Sequence, residues 1–258
     1  MKWALIAGGS KGLGFSIAQA LAKRKNNLLL IARNEQDLLT SKEQLQSQYN
    51  IQVSILACDL SLPESAALIA DHCTAGSLEI NILCNAAGLG GAKDFPHLSF
   101  NELRTMISTN LESAVSLCFL LEPLLKQSAP SYILNIGSMA GFAPIPVKAV
   151  YASTKSALLI FSYSLRNLLK PAHISVTCAC PGPIFTKPSI EEETVHQLGW
   201  FGKKMALKPD DAGELIVRAM LNGKMIVVPG KLAKIVSFFL RIFPNGFVAR
   251  LQYILKKK

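Results

Sequence analysis

None of the six cysteines pairs with another in C-x-x-C spacing. Cys58, Cys73, Cys84, Cys118, Cys178 and Cys180 therefore read as small core residues of a reducing compartment, rather than as a disulfide or zinc framework. The four histidines, His72, His97, His173 and His196, lack metal-ligand spacing, so no metal site is expected. No run of about 18 apolar residues occurs, which excludes a simple spanning helix. The apolar stretch Trp3–Ala7 is too short for a signal peptide and runs into a glycine loop, so a cytoplasmic location is the expectation. Internal repeats, low-complexity tracts and linkers are also lacking. Charged residues make up only 17% of the chain, against 50% hydrophobic, which excludes disorder as its overall state. Acid is scarce relative to base, and the net charge is +10. That surplus points to an anionic partner: a phosphorylated small molecule, a membrane surface or nucleic acid.

Short apolar runs alternate with stretches of helical length. The runs are Trp3–Ala7, Leu28–Ala32, Val53–Ala57, Ile80–Cys84, Tyr132–Ile136, Ile174–Cys178 and Met225–Val228. Most are largely continuous rather than alternating, as in strands buried on both faces of a parallel sheet. Ile17 and Leu21, then Leu38 and Leu45, are spaced for one helical face. Ser99 and Glu102 form a capping box that opens a long helix to Gln127. The expected fold is α/β: a Rossmann-type, doubly wound parallel sheet of about seven strands with helices on both faces. The 258 residues fit one such domain over 1–230, with residues 231–258 as a basic amphipathic helical extension. The segment Ser189–Leu207, rich in Glu, Gly and Lys, is expected to form a mobile loop-helix over the site.

The first run leads into Gly8-Gly9-Ser10-Lys11-Gly12-Leu13-Gly14 and then a helix. Glycines here permit positive φ and let the backbone approach a pyrophosphate at a helix N-terminus. The alternative is a purely structural turn. At the end of the second strand, where an acid would bind the ribose of NAD, stands Ala32-Arg33-Asn34. Arg33 offers a cationic fork for a 2′-phosphate, and Lys11 would add a second charge. The expected cofactor is accordingly NADP(H).

Tyr151 and Lys155 are four residues apart, on one face of a helix, and Ser138 ends an apolar strand. A phenol ionises near 10, and a nearby ammonium would lower that value. A serine hydroxyl can hydrogen-bond a developing oxyanion.

These motifs together resemble the classical short-chain dehydrogenase/reductase family from about Lys2 to Pro229. Gly8-x-x-x-Gly12-x-Gly14 is similar to the family's cofactor loop, with Ala7 where a Thr is usual. Asn85-Ala86-Ala87-Gly88 is similar to its N-N-A-G motif, with Ala86 in place of the second Asn. The resemblance implies that Asp59 contacts adenine and that Pro181-Gly182 with Thr186 lies beside the nicotinamide. It places Ser10, Leu13, Leu60 and Ile184 in the cofactor site as well. Asn110, Ser138, Tyr151 and Lys155 match the catalytic tetrad. By that resemblance Tyr151 is the general acid in reduction, and Lys155 binds the ribose and lowers the tyrosine pKa. Ser138 polarises the carbonyl, and Asn110 holds a water linking Lys155 to solvent. The implied activity is hydride transfer between NADP(H) and a carbonyl or secondary alcohol, with a lipid-like or acyl compound as one substrate class. The alternative is a non-catalytic NADP(H)-sensing protein on the same fold. A nucleic-acid partner is not expected, because the basic residues are dispersed or in the tail.

Phe142, Phe185, Trp200 and Phe201 are expected to line an apolar substrate pocket. Leu117, Leu120, Leu121, Leu158 and Phe161 exceed one sheet-facing stripe, so a homodimer or homotetramer is expected. In the tail, Leu232, Ile235, Val236, Phe239 and Phe243 recur at helical spacing, and Phe247, Val248, Leu251, Ile254 and Leu255 follow Pro244-Asn245-Gly246. Two readings stand: helices packed on the protein, or a basic peripheral anchor on an anionic membrane. The proline break tips the balance towards packing.

Overall fold

Mostly apolar runs form the strands, the central ones buried on both faces and the two edge strands only partly. In the computed structural model, which describes residues 2–90, 94–186 and 188–256, seven of them make one sheet. They are β1 (Lys2–Ala7), β2 (Asn27–Ala32), β3 (Val53–Ala57), β4 (Glu79–Asn85), β5 (Ser131–Ile136), β6 (Ile174–Ala179) and β7 (Ile226–Val227). Every pairing is parallel, in the order β3-β2-β1-β4-β5-β6-β7. The order reverses direction between β1 and β4, and that switch point opens a crevice beyond their carboxyl ends.

Helices cover both faces. On one lie α1 (Gly12–Ala22), α2 (Glu35–Gln48) and α8 (Pro209–Leu221). Their Ile17, Leu21, Leu38, Leu45 and Ile216 pack on Ala4, Ile6 and Leu30. The opposite face carries α3 (Ser65–Ala75), α5 (Ser113–Gln127) and α6 (Ala149–Leu169), with Ile69, Leu117 and Leu121 against Leu5, Leu29 and Ile133. Neighbouring strand residues thus feed opposite cores, as a strand's period of two requires.

The long helix from Ser99 is not uniform. Ser99 caps it with the expected capping box, α4 spans Phe100–Ile107, and a π turn over Ser108–Glu112 precedes α5. Ser189–Leu207 is more regular than its composition suggests. Most of it is α7 (Pro188–Met205), broken only at Gly199, where φ is 57° and ψ −148°. That backbone lies in a region open to glycine.

The tail folds as two helices, α9 (Lys231–Ile242) and α10 (Asn245–Lys256). Leu232, Ala233, Val236 and Leu240 of α9 join a third cluster with Met139, Leu159, Cys180 and Met205. Val248 of α10 is buried, and α10 lies against the turn Pro146–Lys148. The expected single apolar stripe is divided. Leu232 and Val236 face the protein, whereas Ile235, Phe239 and Phe243 are exposed. The small Ala233 and Ser237 set the inner face and let α9 approach closely. The side chain of Leu255 lies outside the described residues.

Candidate active site

The segments beyond the carboxyl ends of β1 to β6 carry the site residues that the sequence singles out. After β1, Gly8 has φ of 87° and Gly12 φ of 58°. A Cβ on Gly8 would lie 2.6 Å from the Ala87 nitrogen, and one on Gly14 would lie 2.0 Å from the Gly8 oxygen. The loop is folded on itself and on the start of the β4 loop, where Ala86 N–H donates to the Ala7 carbonyl at 2.9 Å. Ser10 contributes its carbonyl to the Ser41 hydroxyl at 2.8 Å. Leu13 packs on the first core cluster.

The first turn of α1 has no side-chain cap and no acid. Its N–H groups and dipole face the glycine loop, and Thr186 lies across from Gly12, 3.3 Å from where a Cβ would sit. A bare, glycine-lined helix start is a cradle for a phosphate-bearing group. These residues fit the pyrophosphate of a dinucleotide.

Arg33 is exposed after β2. Partial burial raises the Asp59 carboxyl, but hydrogen bonds from Ser61 N–H and hydroxyl at 2.9 and 2.8 Å, with a smaller contribution from the Arg33 charge, hold it below its usual range. Arg33 and Asp59 therefore share one locus. Lys11 differs from expectation: its ammonium pairs with Asp37 at 2.7 Å, in the first turn of α2. The second positive charge is thus offset by an acid, and Arg33 carries the cationic character there. Asn34 is occupied as the cap of α2. Leu60 is a buried core residue.

Asn85 faces the interior. Its amide donates to Asn135 Oδ1 at 2.8 Å and to the Ala114 carbonyl at 3.4 Å. Asn135 in turn donates to Ser162 Oγ at 2.9 Å. This buried chain ties β4 to β5 and α6 through the Asn85 amide nitrogen, while Asn85 Oδ1 is buried with no partner among the described residues.

Two of the tetrad residues, Lys155 and Asn110, meet at Gly88. A Cβ there would stand 3.3 Å from Lys155 Nζ and 3.4 Å from Asn110 Oδ1. Asn110, in the π turn, accepts from Leu89 N–H at 2.7 Å and donates to the Leu89 carbonyl and to Thr154 Oγ1. Its side-chain amide fixes the β4 loop to α6. Lys155 is buried and donates to the Ile136 carbonyl at 2.7 Å. Burial pushes its ammonium down to about 8. Ser138, extended at the end of β5, accepts from Ala140 N–H at 3.1 Å and hydrogen-bonds the Tyr151 phenol.

Tyr151 departs from the expectation that Lys155 lowers its pKa. Burial dominates and raises it, and the hydrogen bond with Ser138 only partly offsets this. Lys155 Nζ stands 5.9 Å from the ring centroid and is engaged with Ile136 instead. A phenol in this setting stays protonated at neutral pH and is a proton donor.

Thr154 and Gly141 were not foreseen as parts of the site. Thr154 bonds both Asn110 and the Tyr151 carbonyl. A Cβ on Gly141 would lie 2.8 Å from the Lys155 carbonyl, so the Ser138 loop seats directly on α6. The i,i+3 spacing of Thr154 from Tyr151 is the one sequence signal that marks it. Pro181 accepts from Met139 N–H at 3.0 Å, Gly182 adjoins Met139 and Met205, and Ile184 bridges to Leu207. This floor joins α7 to the Ser138 loop. Of the expected pocket aromatics, Phe142 packs in the third cluster and Phe185 is half-buried. Trp200 is 72% exposed, with Lys204 4.7 Å over its ring. The side chain of Phe201 lies outside the described residues.

A family profile described as short chain dehydrogenase matches residues 2–195. The chain belongs to the short-chain dehydrogenase family. A very-long-chain 3-oxoacyl-CoA reductase of Danio rerio is 33% identical over 190 residues, 72% of this chain and 59% of that protein. The chain thus spans about three fifths of the length of that relative. Two solved structures show the same fold. The short-chain dehydrogenase from Sphingobium yanoikuyae in complex with NADPH superposes with TM-score 0.78 at 24% identity, covering 95% of this chain and 97% of the other. The bulky-bulky ketone specific alcohol dehydrogenase from Comamonas testosteroni gives 0.79 at 22% identity, covering 93% and 90%.

Proposed function

We propose that this short-chain dehydrogenase is an NADPH-dependent reductase of an apolar ketone, with 3-oxoacyl compounds as the first class to test. The observation that carries the reading is that Asn110 and Lys155 meet at Gly88 near the switch point of the sheet, while the ring of Tyr151, hydrogen-bonded to Ser138, lies 5.9 Å from Lys155 Nζ. The glycine cradle with Thr186 would hold the pyrophosphate, Arg33 the 2′-phosphate, and Lys155 the ribose. NADPH, when bound, supplies the hydride, and that chemistry is its own. The NADPH complex of the Sphingobium relative and the 3-oxoacyl-CoA reductases among the relatives support the choice of cofactor and substrate.

The residues divide the remaining work. Ser138 Oγ donates a hydrogen bond to the carbonyl oxygen as it gains negative charge. Tyr151 Oη gives that oxygen its proton, which balances the hydride gained at carbon and yields the alcohol. Burial keeps the phenol protonated, and this is the form that reduction consumes. Lys155, drawn down to about 8, can release and recover a proton near neutrality. Asn110 and Thr154 hold the elements that carry it.

The test is a panel of 3-oxoacyl thioesters and bulky ketones followed by NADPH absorbance. NADPH should bind at least about tenfold tighter than NADH, a difference of about 1.4 kcal/mol. Tyr151→Phe should lower kcat by about 10²-fold or more while leaving NADPH affinity within about twofold. Equal affinities would overturn the cofactor assignment. A variant that keeps a third of wild-type turnover would overturn the acid.

A further inference from the structure

The tail carries one more feature. The outer face of α9 shows Ile235, Phe238, Phe239 and Ile242 to solvent, and Phe243 and Phe247 continue it around the bend into α10. The rings form a row: Phe239 to Phe243 is 6.3 Å between centroids, and Phe243 to Phe247 is 5.7 Å. Leu251, Tyr253 and Ile254 are also exposed beyond them. A soluble monomer seldom leaves a contiguous apolar patch beyond a few hundred Å² uncovered. Neither helix can cross a bilayer, and the pair that has the composition of a span is bent by 118°. The inner face of α9 is meanwhile fixed to the third cluster, and Arg241 stacks 4.0 Å over Phe142. The patch is thus a rigid, outward-facing surface.

Its charge identifies the occupant. Residues 231–258 contain seven Lys or Arg and no Asp or Glu. A second copy of this face would bring like charges together, which opposes self-docking. An anionic bilayer satisfies both properties, taking the rings into its interfacial region while its headgroups meet the cations. The geometry points to docking of α9 and α10 on an anionic membrane surface. The same helices touch Phe142 and the turn Pro146–Lys148, which flank Ser138 and Tyr151. Docking therefore brings the lipid to the rim of the catalytic cleft, and a membrane-partitioned ketone can enter without crossing water. This consequence for substrate entry rests on the reductase reading; the docking does not.

Co-sedimentation of the full chain with phosphatidylserine/phosphatidylcholine vesicles tests it, against pure phosphatidylcholine. Binding to the anionic vesicles should be at least about tenfold tighter. Phe238→Ser with Phe239→Ser should weaken it at least about tenfold without lowering the melting temperature, since both rings are exposed. Lys231→Gln with Lys234→Gln should weaken it about thirtyfold at low salt, at about 1 kcal/mol per charge. Tyr151→Phe should bind like wild type whatever its turnover, which separates this test from the reductase test. Failure of the wild type to bind anionic vesicles would overturn the proposal. So would full binding by the Phe238→Ser, Phe239→Ser double variant, or its conversion of a dimer to a monomer in light scattering.

Discussion

Lys155 is a buried ammonium whose acceptor among the described residues is the Ile136 carbonyl. Moving it from an ordinary value of 10.5 to about 8 corresponds to on the order of 3 kcal/mol of destabilisation at neutral pH. The folded chain binds fewer protons than the unfolded chain between those two values, so this group makes stability rise with pH across that window. Below about 8 the penalty is present in full. Lys155→Met should then melt about 5 °C above wild type at pH 7, after allowance for the lost bond to Ile136, with the gap closing by pH 10. It should also be inactive. Thermal melts at both pH values check this, and a variant that melts below wild type at pH 7 would show that the lysine is not a net burden. The residue types themselves were legible in the sequence. Their mutual geometry was not: Lys11 spends its charge on Asp37, and Asn85 spends its amide on the core. Such pairings depend on which residues another element brings near.

Among the elements, strands were read to within about a residue, because each apolar run holds at most two polar residues. Helix ends with strong chemistry, such as the Ser99 capping box, were equally plain. The π turn at Asn110 was not, since Thr109-Asn110-Leu111 contains no residue that demands a wider turn. It follows from contacts of Asn110 with Leu89 and Thr154. The glycine loop offers a sharp test at this scale. Gly14→Ala places a methyl on the Gly8 carbonyl, at a cost of about 3 kcal/mol, or a fall of about 6–12 °C in melting temperature. NADPH affinity should fall at least about tenfold. Gly90→Ala, with open space around it, should leave both unchanged. Calorimetry on the pair decides whether the loop is tight or merely permissive; equal melting of the two variants would refute the crowding.

At the scale of the whole molecule, the expected interface residues Leu117, Leu121 and Leu158 are core and Phe161 packs against the cluster of Leu117 and Leu121, while Leu120 is exposed as expected. The outer surface of α5 and α6 instead exposes Phe119 at 78%, Leu168 at 74% and Ile160 at 60%. Helical period alone could not tell the two sides apart, because both are apolar. The tail hid its division into an inner and an outer face for the same reason. Phe119→Lys with Ile160→Lys should turn a homo-oligomer into a folded monomer in light scattering; a wild-type monomer at micromolar concentration would refute the interface. The chain of amides from Asn85 through Asn135 to Ser162 has a bearing on redesign. It keys the helix carrying Tyr151 to the register of two central strands, so a library that varies those strands would disturb the acid before it touched selectivity. Variation confined to α7 and the tail leaves that key alone, and those are the places where new substrate scope can be sought.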